Sequence, residues 1–204
     1  MSRRNWLILT ALAMEAKAIT AELGEAMASQ QVSVHVIGIR AKRLNRDLLV
    51  GSNGIILAGL AGALDPALAV GDIVVDSESP PLPHFPRGKF YTADHLIATA
   101  AEKQRLFRET GCAAVDMESA IVRAIAQSVG LPMLHVRAIS DAADQTLPSR
   151  MMNWIDDVGK PQTPKLLAEL ALHPHQIPAM IRLGSNSHLA LRQLTQAIGV
   201  ILQQ

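Results

Sequence analysis

Apolar runs separated by polar punctuation divide this chain into strand-sized and helix-sized pieces. Trp6–Ala13 is apolar on both faces, as a central parallel strand should be, and Met14–Leu23 follows as a helix. Glu15 falls in the first turn of that helix, where an acidic side chain sits well against the helix dipole. Gln31–Ile39 alternates apolar and polar residues and predicts a strand. Arg40, Lys42, Arg43 and Arg46 come next; on a helix, 42, 43 and 46 share a face that meets either an anion or solvent. Residues 55–64, IILAGLAGAL, predict an apolar strand running into a glycine turn at Gly59–Ala63, before a further strand at Ile73–Val75. Glycines directly after a strand let the backbone approach a ligand and offer its N–H groups. Their spacing is not the dinucleotide fingerprint, and no Walker lysine motif is present. Ser77–Gly88 is a proline-rich loop carrying His84 and Phe85, a position that suits a lid or a specificity element. Asp94 is placed to cap a helix over His95–Phe107.

The most informative stretch is 112–144. Cys112–Val115 reads as a strand end, followed by charge at Asp116 and Glu118. A helix over 118–129 would turn Ala120, Ile121, Ala124, Ile125 and Ser128 to one face, and Gly130 and Pro132 stop it. Met133–Ile139 is the next strand, ended by Ser140 and Asp141. Glu118 and Asp141 thus lie just past the C-terminal ends of two buried strands joined by a helix, which is where open α/β sheets bind ligands. The plainer alternative makes Glu118 a helix cap and Asp141 the start of a turn. Beyond them come Met151, Met152 and Trp154, a linker over Gly159–Pro164, and helical segments at Lys165–Leu172, Ile177–Leu183 and His188–Leu202. Met and Trp at such spacing serve as core or as the wall of an apolar groove. The tail helices either pack on the sheet or leave an apolar surface for a partner or a membrane.

Composition narrows the class. The 204 residues are enough for one α/β domain with a real core and hardly enough for two. With 49% hydrophobic and only 3% aromatic residues, that core must be built from Ala, Leu, Ile and Val, which suits helices laid on a parallel sheet. A net charge of +1 gives no concentrated positive field, so nucleic acid is not an expected partner. The single cysteine, Cys112, sits in an apolar strand and reads as a small buried hydrophobe; with no disulfide framework, the expected compartment is the cytoplasm. The seven histidines are scattered, and His173 and His175 flank Pro174 in a turn, so no metal site is expected. Arg3 and Arg4 precede an apolar run that Glu15 and Lys17 soon interrupt, so neither a signal peptide nor a membrane span is expected. The expected architecture is a single α/β domain over 1–204: a mixed, mostly parallel central sheet flanked by helices, with 160–204 forming additional C-terminal helices.

Four blocks carry a family resemblance: the strand ending near Met14-Glu15, GLAGALDPALAVGDIVV at 59–75, AVDMESAIV at 114–122 and VRAISDAAD at 136–144. On them the chain resembles the purine and uridine phosphorylase superfamily, most nearly its methylthioadenosine/adenosylhomocysteine nucleosidase branch. Within that branch it looks most like the bacterial hopanoid-associated phosphorylase-like proteins that act on adenosylhopane. The resemblance covers the chain through roughly residue 150. It implies the phosphorylase-like three-layer fold, assembly into homo-oligomers, no cofactor, and a set of roles. Met117 and Glu118 match the pair that lies under the ribose and holds its hydroxyls. Asp141, with Ser140 before it, matches the aspartate that protonates the purine at N7. Gly59, Leu60, Ala61 and Gly62 match the turn beside sugar and base, with Leu60 where the family usually has a small polar residue. Glu15 is the only carboxylate available there to activate water, one position off the expected alignment, and Lys17 stands where that branch has its acid. The loop between Asp76 and Phe90 is shorter than in the methylthioadenosine enzymes.

The implied reaction is cleavage of an adenosyl N-glycosidic bond with release of adenine. The ribosyl centre becomes oxocarbenium-like, and adenine leaves poorly unless its ring nitrogen is protonated by a carboxyl of raised pKa. The substrate that the resemblance favours is adenosylhopane, with Phe85 and the Met151, Met152 and Trp154 cluster lining an apolar groove and the tail helices held at the inner face of the membrane. Methylthioadenosine or adenosylhomocysteine hydrolysis is the alternative. So is phosphorolysis, for which Arg40, Arg43 and Arg137 are the candidate phosphate ligands, and so is non-catalytic binding of an adenosine-type ligand.

Overall fold

The computed structural model describes residues 5–30, 32–76, 79, 82, 85–148 and 150–203. His84 and most of the proline-rich loop lie outside the described residues.

Thirteen regular elements follow in chain order among them: β1 (Trp6–Thr10), α1 (Ala13–Gln30), β2 (Ser33–Val36), β3 (Gly54–Ala63), β4 (Ile73–Asp76), β5 (Arg87–Gly88), β6 (Phe90–Thr92), α2 (Ala100–Thr110), β7 (Ala114–Asp116), α3 (Ser119–Ser128), β8 (Met133–Asp141), α4 (Thr163–Leu172) and α5 (Ile177–Leu202). The sheet runs β2-β1-β3-β8-β4-β5, with β7 joined to the far end of β3 and β6 joined to β7. Pairs β1–β2, β1–β3, β3–β8, β4–β5 and β6–β7 are parallel; β3–β7 and β4–β8 are antiparallel. This is a single α/β domain with a mixed, mostly parallel sheet between helical layers.

The central strands β3 and β8 are buried on both faces, so they read as near-continuous apolar runs, while period-2 alternation decides which residue meets which layer. On one face Ile8, Ile56, Ala58, Val75, Leu134, Val136 and Ala138 pack with Ile19 of α1 and with Ala190, Leu191, Leu194 and Ile198 of α5. On the other, Leu7, Leu9, Ile55, Leu57 and Met133 meet Val122 and Ala126 of α3. Further along β8, the residues of this second face are His135, Arg137 and Ile139, after which a register shift against β3 interrupts the alternation before Asp141.

Several local expectations change. Gly59–Ala63 is not a turn after the strand: β3 continues through Ala63, because its far end pairs with both β8 and β7. Helix α2 begins five residues later than expected. Its N-cap is Thr99, in a capping box with Glu102, and Asp94 instead pairs with its neighbour His95. In α3 the inward residues are Ser119, Val122 and Ala126, while Ala120, Ile121, Ala124 and Ser128 face outward. The phase is set at the helix start, where Ser119 is held to Asp116, rather than by the widest apolar stripe. The segments 177–183 and 188–202 are one helix. Gly184 sits inside it with open space around it, and burial of Ala190, Leu191 and Leu194 carries the helix through a residue that costs about 1 kcal/mol relative to Ala. The basic residues 40–46 form no continuous helix: short 3-10 turns at Ile39–Ala41 and Arg46–Leu49 flank them, and Arg40 takes a left-handed φ of 59°.

Candidate active site

Strand β8 delivers the centre of the site. Arg137 is fully buried, and burial works against its charge, yet Asp116, Glu118 and Glu15 around it more than restore that charge. Its Nη2 donates to Asp116 Oδ2 at 2.7 Å and to Glu118 Oε2 at 3.2 Å, and its Nε lies 3.2 Å from Asp116 Oδ2. Asp116 ends β7. Burial alone would raise its carboxyl, but Arg137, His135 and Ser119 outweigh burial and hold it well below the usual carboxylate range. His135 continues the network, with Nδ1 3.2 Å from Asp76 Oδ2 and Nε2 3.0 Å from Arg137 Nε; Asp76 in turn pairs with Arg123 of α3. A cleft of about 330 Å³ beside α3 is bordered by Asp76, Thr92, Ser119 and Arg123 of this outer part of the network.

Glu118 occupies the N-cap position of α3 without capping it. Its Oε1 accepts the Arg40 N–H at 3.0 Å, so the left-handed turn at Arg40 aims a backbone donor at it, while Oε2 faces Arg137. Burial raises the Glu118 carboxyl, Arg137 opposes the rise, and Asp116 adds to it.

Glu15 reaches the same place from the first turn of α1. Its Oε2 accepts the Leu12 N–H and its Oε1 the Leu60 N–H, both at 2.8 Å. Burial is the largest influence on it; Arg137 and the two N–H donors pull the other way, and the balance raises its pKa from 4.5 to about 7. Gly59 makes this convergence possible: a Cβ there would fall 2.2 Å from Arg137 Nη1 and 2.8 Å from Glu15 Oε1. That same Nη1 is buried without a hydrogen-bond partner, a donor left open beside a carboxylate of raised pKa.

Asp141 lies four residues beyond Arg137 on β8, past a register shift against β3 at Ala61/Gly62. It is buried. Ser140 Oγ donates to its Oδ1 at 2.6 Å, and Lys103 Nζ donates to its Oδ2. Gly62 is its register partner on β3, and a Cβ on Gly62 would come within 2.9 Å of Asp141 Oδ2.

The structure therefore brings Glu15, Glu118, Gly59 and the Leu60 N–H to one point, with Asp141, Ser140 and Gly62 further along the same strands. Ala61 is buried beside Ile139 and Val74, and Met117 is half-buried between Asp116 and Glu118. Phe85 is not among them; it packs against the cluster on the opposite face with Ile8, Ile56 and Val75. Trp154 is buried, and Lys17 is exposed on α1. Sequence reasoning missed Asp116, His135 and Lys103. The first was legible, three residues before Ser119 at a helix start; the other two sit inside a strand and a helix with nothing local to distinguish them.

A sequence profile of the Phosphorylase superfamily matches residues 76–171. The chain has that superfamily's fold. It is similar in structure to the 5′-methylthioadenosine/S-adenosyl homocysteine nucleosidase of Helicobacter pylori, with a TM-score of 0.68 and 15% identity over 100% of this chain and 99% of that one. Futalosine hydrolase of Helicobacter pylori gives a TM-score of 0.66 and 16% identity over 98% of each chain. A putative nucleosidase of the first kind from Francisella philomiragia gives 0.56 and 18% over 92% of this chain and 97% of that one. No curated protein matches the chain. At these identities the likeness is one of fold.

Proposed function

We propose that this protein is a nucleosidase that hydrolyses the N-glycosidic bond of an adenosyl-type nucleoside and releases adenine, with methylthioadenosine and adenosylhomocysteine as the substrates suggested by solved structures it resembles. The observation that carries this reading is the pairing of Glu15, raised to about 7, with the unpartnered Nη1 of buried Arg137 across the Gly59 gap. A water held there meets a base matched to neutral pH and a donor that orients it. Glu118 grips the ribose hydroxyls and places negative charge beside the developing cation. Asp141 faces the purine and delivers the proton that lets adenine leave. Arg137 positions both Glu15 and Glu118.

Hydrolysis rather than phosphorolysis is supported by where the candidate phosphate ligands are. Arg43 is committed to Asp157 at 2.6 and 2.7 Å, the Arg40 side chain is exposed, and Arg137 is surrounded by three carboxylates that repel an anion. The lipid substrate adenosylhopane is the second reading. It draws on the exposed Leu167, Leu172, Ile177 and Ile181 of α4 and α5, an apolar surface that suits a membrane-borne substrate.

The test is adenine release from methylthioadenosine, adenosylhomocysteine and adenosylhopane, each with and without phosphate. Release from the first two that is indifferent to phosphate is the expected result. Release confined to adenosylhopane would move the assignment to the lipid nucleoside. A requirement for phosphate would make the enzyme a phosphorylase, and no release from any of them would sink the nucleosidase reading.

A further inference from the structure

Lys103, in the first turns of α2, is fully buried, and its ammonium is used completely. Nζ donates to Asp141 Oδ2, to the Ala142 carbonyl at 2.9 Å and to the Gln145 carbonyl at 3.0 Å. Three acceptors take three N–H groups, so Lys103 meets Asp141 Oδ2 as a donor, and that oxygen carries no proton of its own to give. The nucleosidase reading requires Asp141 to give one.

We propose that Lys103 resolves this by supplying that proton through Asp141. It is a positioning residue that never touches the purine, and this inference rests on the function proposed above. As the C1′–N9 bond breaks, its electron pair passes to the purine and the ring nitrogen becomes basic. That nitrogen takes a proton from the Asp141 carboxyl as the carboxyl takes one from Nζ. Lys103 is left as a neutral amine with two N–H groups, the number needed to keep its bonds to the Ala142 and Gln145 carbonyls. The carboxylate is restored and adenine leaves neutral. Solvent returns the proton to Nζ after the product departs.

The geometry around the pair fits this use. Two backbone carbonyls of the turn after β8 hold Nζ in place whichever charge it carries, and Ser140 Oγ fixes the other oxygen of Asp141. Gly62, whose Cβ would press on Asp141 Oδ2, leaves that oxygen room to serve both partners.

The test compares two leaving groups. Methylthioadenosine needs a proton on its purine, whereas 4-nitrophenyl 5-methylthio-β-D-ribofuranoside expels nitrophenolate without one. In Lys103→Met, adenine release should fall roughly 100-fold or more, the range typical of general acid catalysis, while nitrophenolate release stays within about threefold. Lys103→Arg keeps a positive charge beside Asp141 but does not surrender its proton, so it should show the same selective loss; it carries the test alone should Lys103→Met not fold. Equal loss on both substrates, no loss on either, or full adenine release by Lys103→Arg would each overturn the proposal. So would an unaltered enzyme that releases nitrophenolate but no adenine. If the unaltered enzyme cleaves neither substrate, it is the assignment of methylthioadenosine as substrate that fails.

Discussion

Strand β8 shows two chemistries on one backbone. Leu134, Val136 and Ala138 point to the layer of α1 and α5 and join the apolar cluster built there. Their alternates His135 and Arg137 point to the other side and are buried among charged partners. The apolar face stabilises through area removed from water, which is tolerant of how it is filled. The charged face gains little net stability, because the cost of desolvating each ion offsets most of its pairing. It holds a tightly specified arrangement in which every member depends on its neighbours. One face is there to make the domain stand; the other is carried by it.

The sharpest way to break the charged face is Arg137→Met. Asp116, Glu118 and Glu15 would then be buried with no cation among them, and removing one partner from such a set costs about 3–5 kcal/mol. Adenine release should fall roughly a thousandfold or more in whatever fraction folds, since both carboxylates assigned to water and ribose lose their anchor. Urea unfolding and a single-turnover assay would check this. A variant of ordinary stability and activity would mean that the cluster is not organised by Arg137.

Leu194→Ala probes the apolar face. Leu194 is fully buried under the sheet, and its truncation should cost about 2–5 kcal/mol while the rate per folded molecule stays unchanged. Similar loss of stability with the rate per folded molecule lost in Arg137→Met and kept in Leu194→Ala is the result that separates the two faces. A fall in the rate per folded molecule would show that α5 is coupled to the site.

The third prediction concerns Glu15 and pH. Its folded pKa of about 7 lies above the unfolded value of 4.5, so between those values the native state binds more protons than the unfolded one. Stability from this group is therefore full below about 4.5 and lost as pH rises through about 7, a change of about 3 kcal/mol. Glu118, also raised by burial, acts in the same direction. Activity should run the opposite way, rising through about 7 as Glu15 ionises to accept a proton from water. Thermal melts and initial rates across that range would show opposed slopes; parallel slopes would remove Glu15 from the role of base.

How much of this was legible beforehand follows from how local each feature is. The strands were readable because double burial leaves long apolar runs such as 55–64 and 133–139. Glu118 and Asp141 were readable because charge directly after such a run marks a strand tip. The cap of α2 was misplaced because Asp94 and Thr99 are both competent capping residues, and only the capping box with Glu102 decides between them. The buried face of α3 was misread because the apolar stripe is wider than the face that meets the sheet. Lys103 was invisible. A lysine on a short amphipathic helix reads as solvent-exposed, and nothing near it in sequence says that the turn at 142–145 will close over it.

The order of strands and helices, the apolar core they can build and the acidic residues at the strand tips are properties of the sequence alone, because periodicity and burial of single elements are set by neighbours along the chain. The meeting of Glu15, Gly59, Glu118 and Arg137, and the tie between Lys103 and Asp141, belong to the tertiary structure. Those groups come from α1, β3, α2 and β8 and from the junction between β7 and α3. A charge becomes costly, shifted or shared only once the parts of the fold that remove water from it have closed.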